Sequence, residues 1–140
     1  MKNRIKKLIF ILIINFFVIS NVLSEEIKFE ANTIELVDKD ERIIAKKNVK
    51  IYNEGETIYA DEMDYDKSKQ IINAKGNIII DNLNENIKIY SEELTYLKNI
   101  EKIILTKNVK IKFEDKFLFN TNKVVYDKIS DEIIVDSVSS

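Results

Sequence analysis

The chain has 140 residues, a formal net charge of −2, 33% charged residues, and no Cys, His or Trp. That composition excludes disulfides, cysteine nucleophiles, the common histidine-based triads and histidine zinc sites. The slightly acidic balance argues against a polyanion-binding surface built on bulk charge, so nucleic acid is not an expected partner.

The first predicted element is a leader. Lys2, Arg4, Lys6 and Lys7 are followed by an apolar run from Leu8 to Ile19, broken only by Asn15. Val22 and Ser24 occupy the −3 and −1 positions of a signal-peptide cleavage site before Glu25. The apolar run is shorter than the roughly 18 residues a spanning helix needs, so a removed leader over 1–24 is expected rather than an anchor. The remainder, 25–140, is the size of one domain and is more acidic than the whole.

From Ile27 onward the chain reads as strands. Ile, Val, Tyr, Phe and Thr are abundant, and apolar residues alternate with polar ones. The first unit offers Phe29, Ala31, Ile34 and Leu36, then Ile43, Ala45, Val49 and Ile51. The second offers Ile58, Ala60, Met63 and Tyr65, then Ile72, Ala74, Ile78 and Ile80. Ile89, Ser91, Leu94 and Tyr96 open the third, which continues with Ile103, Leu105, Val109 and Ile111. The fourth has Phe119, Thr121, Val124 and Tyr126, then Ile133, Ile134 and Val135, a short final strand that leaves the unit incomplete. These sets recur at a spacing of roughly 30 residues, the signature of a stack in which no unit buries its apolar face alone.

The first strand of each unit carries a further signal. Its apolar positions run i, i+2, i+5, i+7, so parity slips once after Ala31, Ala60, Ser91 and Thr121. One extra residue at the same height in every unit predicts stacked β-bulges that bend the whole sheet and keep both halves inward. The second strand of each unit keeps one parity throughout and gives no such sign. Turns are polar, as at Asp38-Lys39-Asp40-Glu41, Asn53-Glu54-Gly55-Glu56 and Asp66-Lys67-Ser68-Lys69.

Candidate chemistry is sparse. Asp61, Glu62, Asp64 and Asp66 are the densest carboxylates, yet Lys67 stands where a calcium loop needs Gly, so no metal is expected. Most carboxylates fall at outward parity, and no enzyme or cofactor is expected. The Tyr column Tyr65, Tyr96 and Tyr126 lies at core parity, where packing is its first role.

The cadence Ile58-Tyr59-Ala60-Asp61, Tyr65-Asp66, Ala74-Lys75-Gly76-Asn77-Ile78 resembles the OstA-like family, which includes LptA, the N-terminal domain of LptD and, more distantly, LptC. The resemblance spans about residues 26 to 136; Lys47 and Lys107 stand where the family prefers Gly. It implies an all-β open jellyroll with a V-shaped groove. It also implies a periplasmic subunit that carries lipopolysaccharide from inner to outer membrane, acyl chains in the groove. The inward residues Ile58, Ala60, Met63, Tyr65, Ile72, Ile78, Ile89, Leu94, Tyr96, Ile103, Leu105, Val109, Phe119, Val124 and Tyr126 become the groove candidates. The implied partners are lipopolysaccharide and homologous jellyroll domains joined by edge-strand pairing, with self-association through Ile27, Phe29, Ile133, Ile134 and Val135. The alternatives are a strand-addition adaptor whose interior is only core, or the front domain of an LptD-type outer-membrane protein.

Overall fold

The computed structural model describes residues 27–136 apart from 54, 83 and 84, and only the backbone at 117–119. The leader over 1–24 lies outside the described residues. Among the described residues, nine strands make one antiparallel sheet: β1 (Lys28–Glu30), β2 (Thr33–Val37), β3 (Arg42–Asn53), β4 (Glu56–Asp66), β5 (Ile71–Asn82), β6 (Ile87–Leu97), β7 (Lys102–Phe113), β8 (Lys116–Asp127) and β9 (Glu132–Val135). They lie in chain order, except that β1 and β2 both pair with β3 and divide its outer edge between them.

The sheet bends at the predicted height, but the extra residue lies on the companion strands: Lys47 and Asn48 oppose Asp61, Gly76 and Asn77 oppose Glu92, and Lys107 and Asn108 oppose Asn122. Register breaks between Tyr59 and Glu62 on β4, and between Tyr90 and Glu93 on β6, at the parity slips. The companion strands bend at the same height, which their unbroken parity hid. Lys47 and Asn48 on β3, Gly76 and Asn77 on β5, and Lys107 and Asn108 on β7 all have positive φ. Two consecutive left-handed residues turn the strand without changing which face the next side chain takes. The repeated Lys-Asn and Gly-Asn dipeptides were the available signal, because Gly and Asn enter this region most readily.

Side chains stitch the corner together. Asn77 Nδ2 donates to Asp61 Oδ2 at 2.9 Å, Asn108 Nδ2 to Glu92 Oε1 at 2.5 Å, and Asn48 Nδ2 to Asn32 Oδ1 at 3.4 Å. Each bond runs from the left-handed Asn to the residue just past the neighbouring strand's slip, so one hydrogen bond recurs along the crease.

The crease divides every long strand into two arms. The first arm holds Ile43–Lys46, Glu62–Asp66, Ile71–Lys75, Glu93–Leu97, Lys102–Thr106 and Lys123–Asp127. The second holds Val49–Asn53, Glu56–Ala60, Ile78–Asn82, Ile87–Ser91, Val109–Phe113 and Lys116–Thr121. Strands β4 and β8 are four places apart, about 19 Å in a flat sheet at ~4.8 Å per strand. Yet Lys128 Nζ, just past β8, lies 3.7 Å from Glu56 Oε2 at the start of β4. The sheet is therefore folded over, and the inward residues of both arms form one core.

Two expectations fail in the first unit. Ile34 and Leu36 have core parity but are 49% and 55% exposed. They belong to β2, which pairs on one side only, so less of the molecule covers them.

Candidate functional site

The candidate site is the space between the arms. Of the groove candidates, Ile58, Ala60, Met63, Tyr65, Ile72, Ile78, Ile89, Leu94, Tyr96, Ile103, Leu105, Val109 and Val124 are buried, and Tyr126 packs against them half-buried. The side chain of Phe119 lies outside the described residues. Alternate residues of a pleated strand share a face, so each arm presents a largely apolar inner surface, interrupted by the buried Glu56, Ser91 and Thr121. The two surfaces meet in direct contact. At the mouth, a cavity of about 40 Å³ lies between Ile80, Ile87 and Ile89 of the second arm and Tyr126 and Ile133 near the tip of the first. That is close to one water's share of liquid volume, ~30 Å³, and far below an acyl chain.

Sequence reasoning missed what closes this mouth. Glu56 belongs to a polar turn in sequence, but it shares the inward parity of Ile58 and Ala60 and is 6% exposed. Burial raises its carboxyl pKa above the ordinary value, and Lys128 and Tyr126 partly offset the rise. Lys128 reaches across from the other arm, with its Nζ 4.0 Å from Glu101 Oε2 and 5.6 Å from the centre of the Tyr96 ring. Asn82 Nδ2 approaches Glu56 Oε1 at 3.5 Å, while Glu56 Oε2 and Asn53 Nδ2 are buried without a hydrogen-bond partner. Glu56 is thus an exception to the outward parity of most carboxylates.

The Tyr column is set by its own turns. Tyr96 hydroxyl donates to Glu101 Oε2 at 2.6 Å, and Tyr126 hydroxyl donates to Asp131 Oδ1 at 3.0 Å. Burial, with the neighbouring carboxylate, pushes both phenol pKa values up. Lys98 Nζ lies 5.8 Å from the Tyr65 ring centre, repeating the Lys128–Tyr96 arrangement one unit earlier. These rings end the apolar lining of the first arm with a polar rim.

The carboxylate cluster is occupied locally. Asp61 takes the Asn77 amide, Glu62 pairs with Lys75 at 3.2 Å, and Asp64 binds the Arg42 guanidinium. Asp66 accepts from Ser68 Oγ and the Lys69 amide within its own turn, which lowers its pKa. No group of acidic residues among those described is arranged to hold a metal.

The edge candidates lie at opposite ends of the sheet. Phe29 is in β1, with Ile27 just before it, and both pack partly on the core. Ile133, Ile134 and Val135 form most of β9, which among the described residues pairs only with Val124–Asp127 of β8.

Against known proteins, the sequence profile of the OstA-like protein family matches residues 23–134. Among solved structures the fold matches the crystal structure of LptH from Pseudomonas aeruginosa, described as the LptA homologous periplasmic component of the conserved lipopolysaccharide transport device. The TM-score is 0.68 at 17% identity, covering 83% of this chain and 85% of that one. No curated protein sequence matches. With the family profile spanning most of its length, over a sheet creased into two apolar-lined arms, the chain belongs to the OstA-like family.

Proposed function

We propose that this protein is a periplasmic conduit subunit for lipopolysaccharide, with the acyl chains held between the two arms. The observation that carries the reading is the pair of facing, largely apolar inner surfaces in an OstA-like chain. Burying an acyl chain of about a dozen methylenes is worth at most ~10 kcal/mol, at ~0.8 per CH₂. Such a chain does not escape to water on a useful timescale, but it passes to an adjoining apolar groove with little net change. Adjoining grooves require edge-to-edge stacking by β-strand addition, and β1, β2 and β9 each have one edge unpaired among the described residues. The leader over 1–24 supplies export.

Loading requires the arms to part, because the space between them is filled by their own side chains. The cheapest place to start is the mouth, where the second arm is held through Glu56 and Lys128 and two buried polar atoms lack hydrogen-bond partners. The packed interior also favours a second reading, an adaptor that joins homologous domains by strand addition and carries no lipid.

A photo-crosslinking residue at Leu94, compared with one at Lys110, separates the two. The conduit reading expects lipid adducts from Leu94 and none from Lys110, together with acyl lipid in native mass spectra of exported protein. Exported protein with no acyl lipid and no Leu94 adduct overturns the conduit and leaves the adaptor.

A further inference from the structure

We infer that the outer face of the second arm is a docking surface for an anionic lipid bilayer. Two outward rows cross it. In one, Lys50, Tyr59, Ile79, Tyr90 and Lys110 stand directly opposite one another on successive strands β3 to β7. In the next, Tyr52, Thr57, Asp81, Lys88 and Lys112 do the same. Tyr59, Ile79 and Tyr90 are half-buried, Tyr52 is 38% exposed, and Lys50 Nζ lies 5.9 Å from the Tyr59 ring centre. An aromatic and aliphatic centre is thus bordered by lysines.

Charge separates this face from the rest of the chain. With Lys28 and Glu30 of β1, it carries five lysines against two carboxylates, in a protein whose net charge is −2. Glu30 accepts from the Tyr52 hydroxyl at 3.2 Å, and Asp81 pairs with Lys88 at 3.6 Å. Lys88 also stands directly opposite Lys112. Like charges in direct register oppose sheet pairing, and a partner of opposite charge offsets that repulsion. An anionic surface is such a partner.

The face is a row of open strands, about 19 Å across five of them. A broad, nearly flat partner fits it. Lysine is depleted in the cores of protein–protein interfaces, whereas lysine and tyrosine together suit a headgroup layer. Tyrosine places its ring among the headgroups with its hydroxyl in water, and lysine extends its stem over apolar surface towards phosphate. Each lysine brought to such a surface strengthens binding about fivefold at moderate salt.

The test is cosedimentation of the purified soluble protein with two kinds of vesicle. One is phosphatidylethanolamine mixed with phosphatidylglycerol; the other is phosphatidylcholine alone. Binding to the anionic vesicles only, weakened by added salt, is expected. Lys50→Glu with Lys110→Glu should lower it at least 25-fold by the same per-lysine factor, with the β-sheet circular-dichroism spectrum of the folded protein retained. Lys75→Glu with Lys123→Glu, on the outer face of the first arm, should leave it within about twofold of the parent. As the chain contains no Trp, Tyr90→Trp supplies a single fluorophore whose emission should shift to the blue with anionic vesicles. Equal binding to both vesicles, equal loss from both double variants, or capture of a soluble acidic protein without vesicle binding overturns the proposal. Lipid binding between the arms would not follow the lysine changes, so this result is independent of the conduit.

Discussion

Across the first arm the outward row nearest the crease alternates in sign: Lys46 faces Glu62, Glu62 faces Lys75, and Lys75 faces Glu93. Lys107 joins Glu93 at 2.6 Å and lowers its pKa, and Lys102 pairs with Asp127 at 3.5 Å. Across the second arm the matching rows gather lysine around tyrosine and isoleucine, with few acids. The inner faces of the two arms are alike, and both are buried in one core. One repeated unit thus supplies the same interior twice and two unlike exteriors. Interior composition follows from packing, which both arms share; exterior composition is free to follow what each arm meets in solution.

The likeness of the interiors is the easiest claim to break, with the largest effect. Leu105 lies in the first arm and Ile89 in the second, both buried. Leu105→Asp and Ile89→Asp should each cost more than about 4 kcal/mol, because an unpaired charge is forced into an apolar core. Lys110→Asp, on the outer face, should change stability by less than ~0.5 kcal/mol. Urea denaturation of the three variants measures this. A mild Ile89→Asp would mean that the second arm's interior is already wet.

The crease between the arms comes next. A Cβ at Gly76 would stand 2.4 Å from Asp61 Oδ2 with φ at +79, so Gly76→Ala combines strain with loss of the Asp61–Asn77 bond. About 2–3 kcal/mol is expected. Lys47→Gly is the converse. Lys47 holds φ 64 with a side chain, and removing that side chain should be neutral or stabilise by up to ~1 kcal/mol. Paired thermal melts check the opposite signs.

These two corner positions also show how far the sequence could be read. The slip after Ala60 and Ser91 located the bend, since an odd residue reverses a strand's faces. The bend in β3, β5 and β7 was invisible to parity, because two left-handed residues restore it. Core facing was legible wherever a strand had neighbours on both sides. It failed at Ile34 and Leu36, because parity reports which way a side chain points and not whether anything covers it. Glu56 was hidden for another reason. It stands at a turn, where a carboxylate is ordinary, and only the fold brings Lys128 to it from four strands away. The closed interior was equally illegible, since an apolar face reads the same whether it holds its partner arm or a lipid.

The tips of the arms are joined by Glu56, whose carboxyl pKa is raised mainly by burial. An acid with a raised folded-state pKa binds more protons folded than unfolded. Its contribution to stability is therefore full below the unfolded value and lost as pH rises through the folded one. Glu56→Gln should remove that loss and leave the protein more stable near neutral pH, by roughly 1 kcal/mol. It should also flatten the stability profile between the ordinary carboxylate range and neutrality. Melts at a series of pH values test this; a Gln variant less stable at neutral pH would make the Lys128 contact the dominant effect.

The smallest effect bears most directly on the unlike exteriors. Glu62 and Lys75 lie in direct register on the first arm, and Lys88 and Lys112 on the second. A double-mutant cycle to Ala isolates each pair from whatever else its members touch. The Glu62–Lys75 cycle should give an attractive coupling of a few tenths of a kcal/mol, as exposed opposite charges do. The Lys88–Lys112 cycle should give a repulsive coupling of similar size, reduced where Asp81 screens Lys88 at 3.6 Å. Both should fade together at about 1 M salt, where the screening length falls to ~3 Å. An attractive coupling between the two lysines would mean that their opposition in register costs the fold nothing. The second arm's exterior would then need no outside anion to account for it.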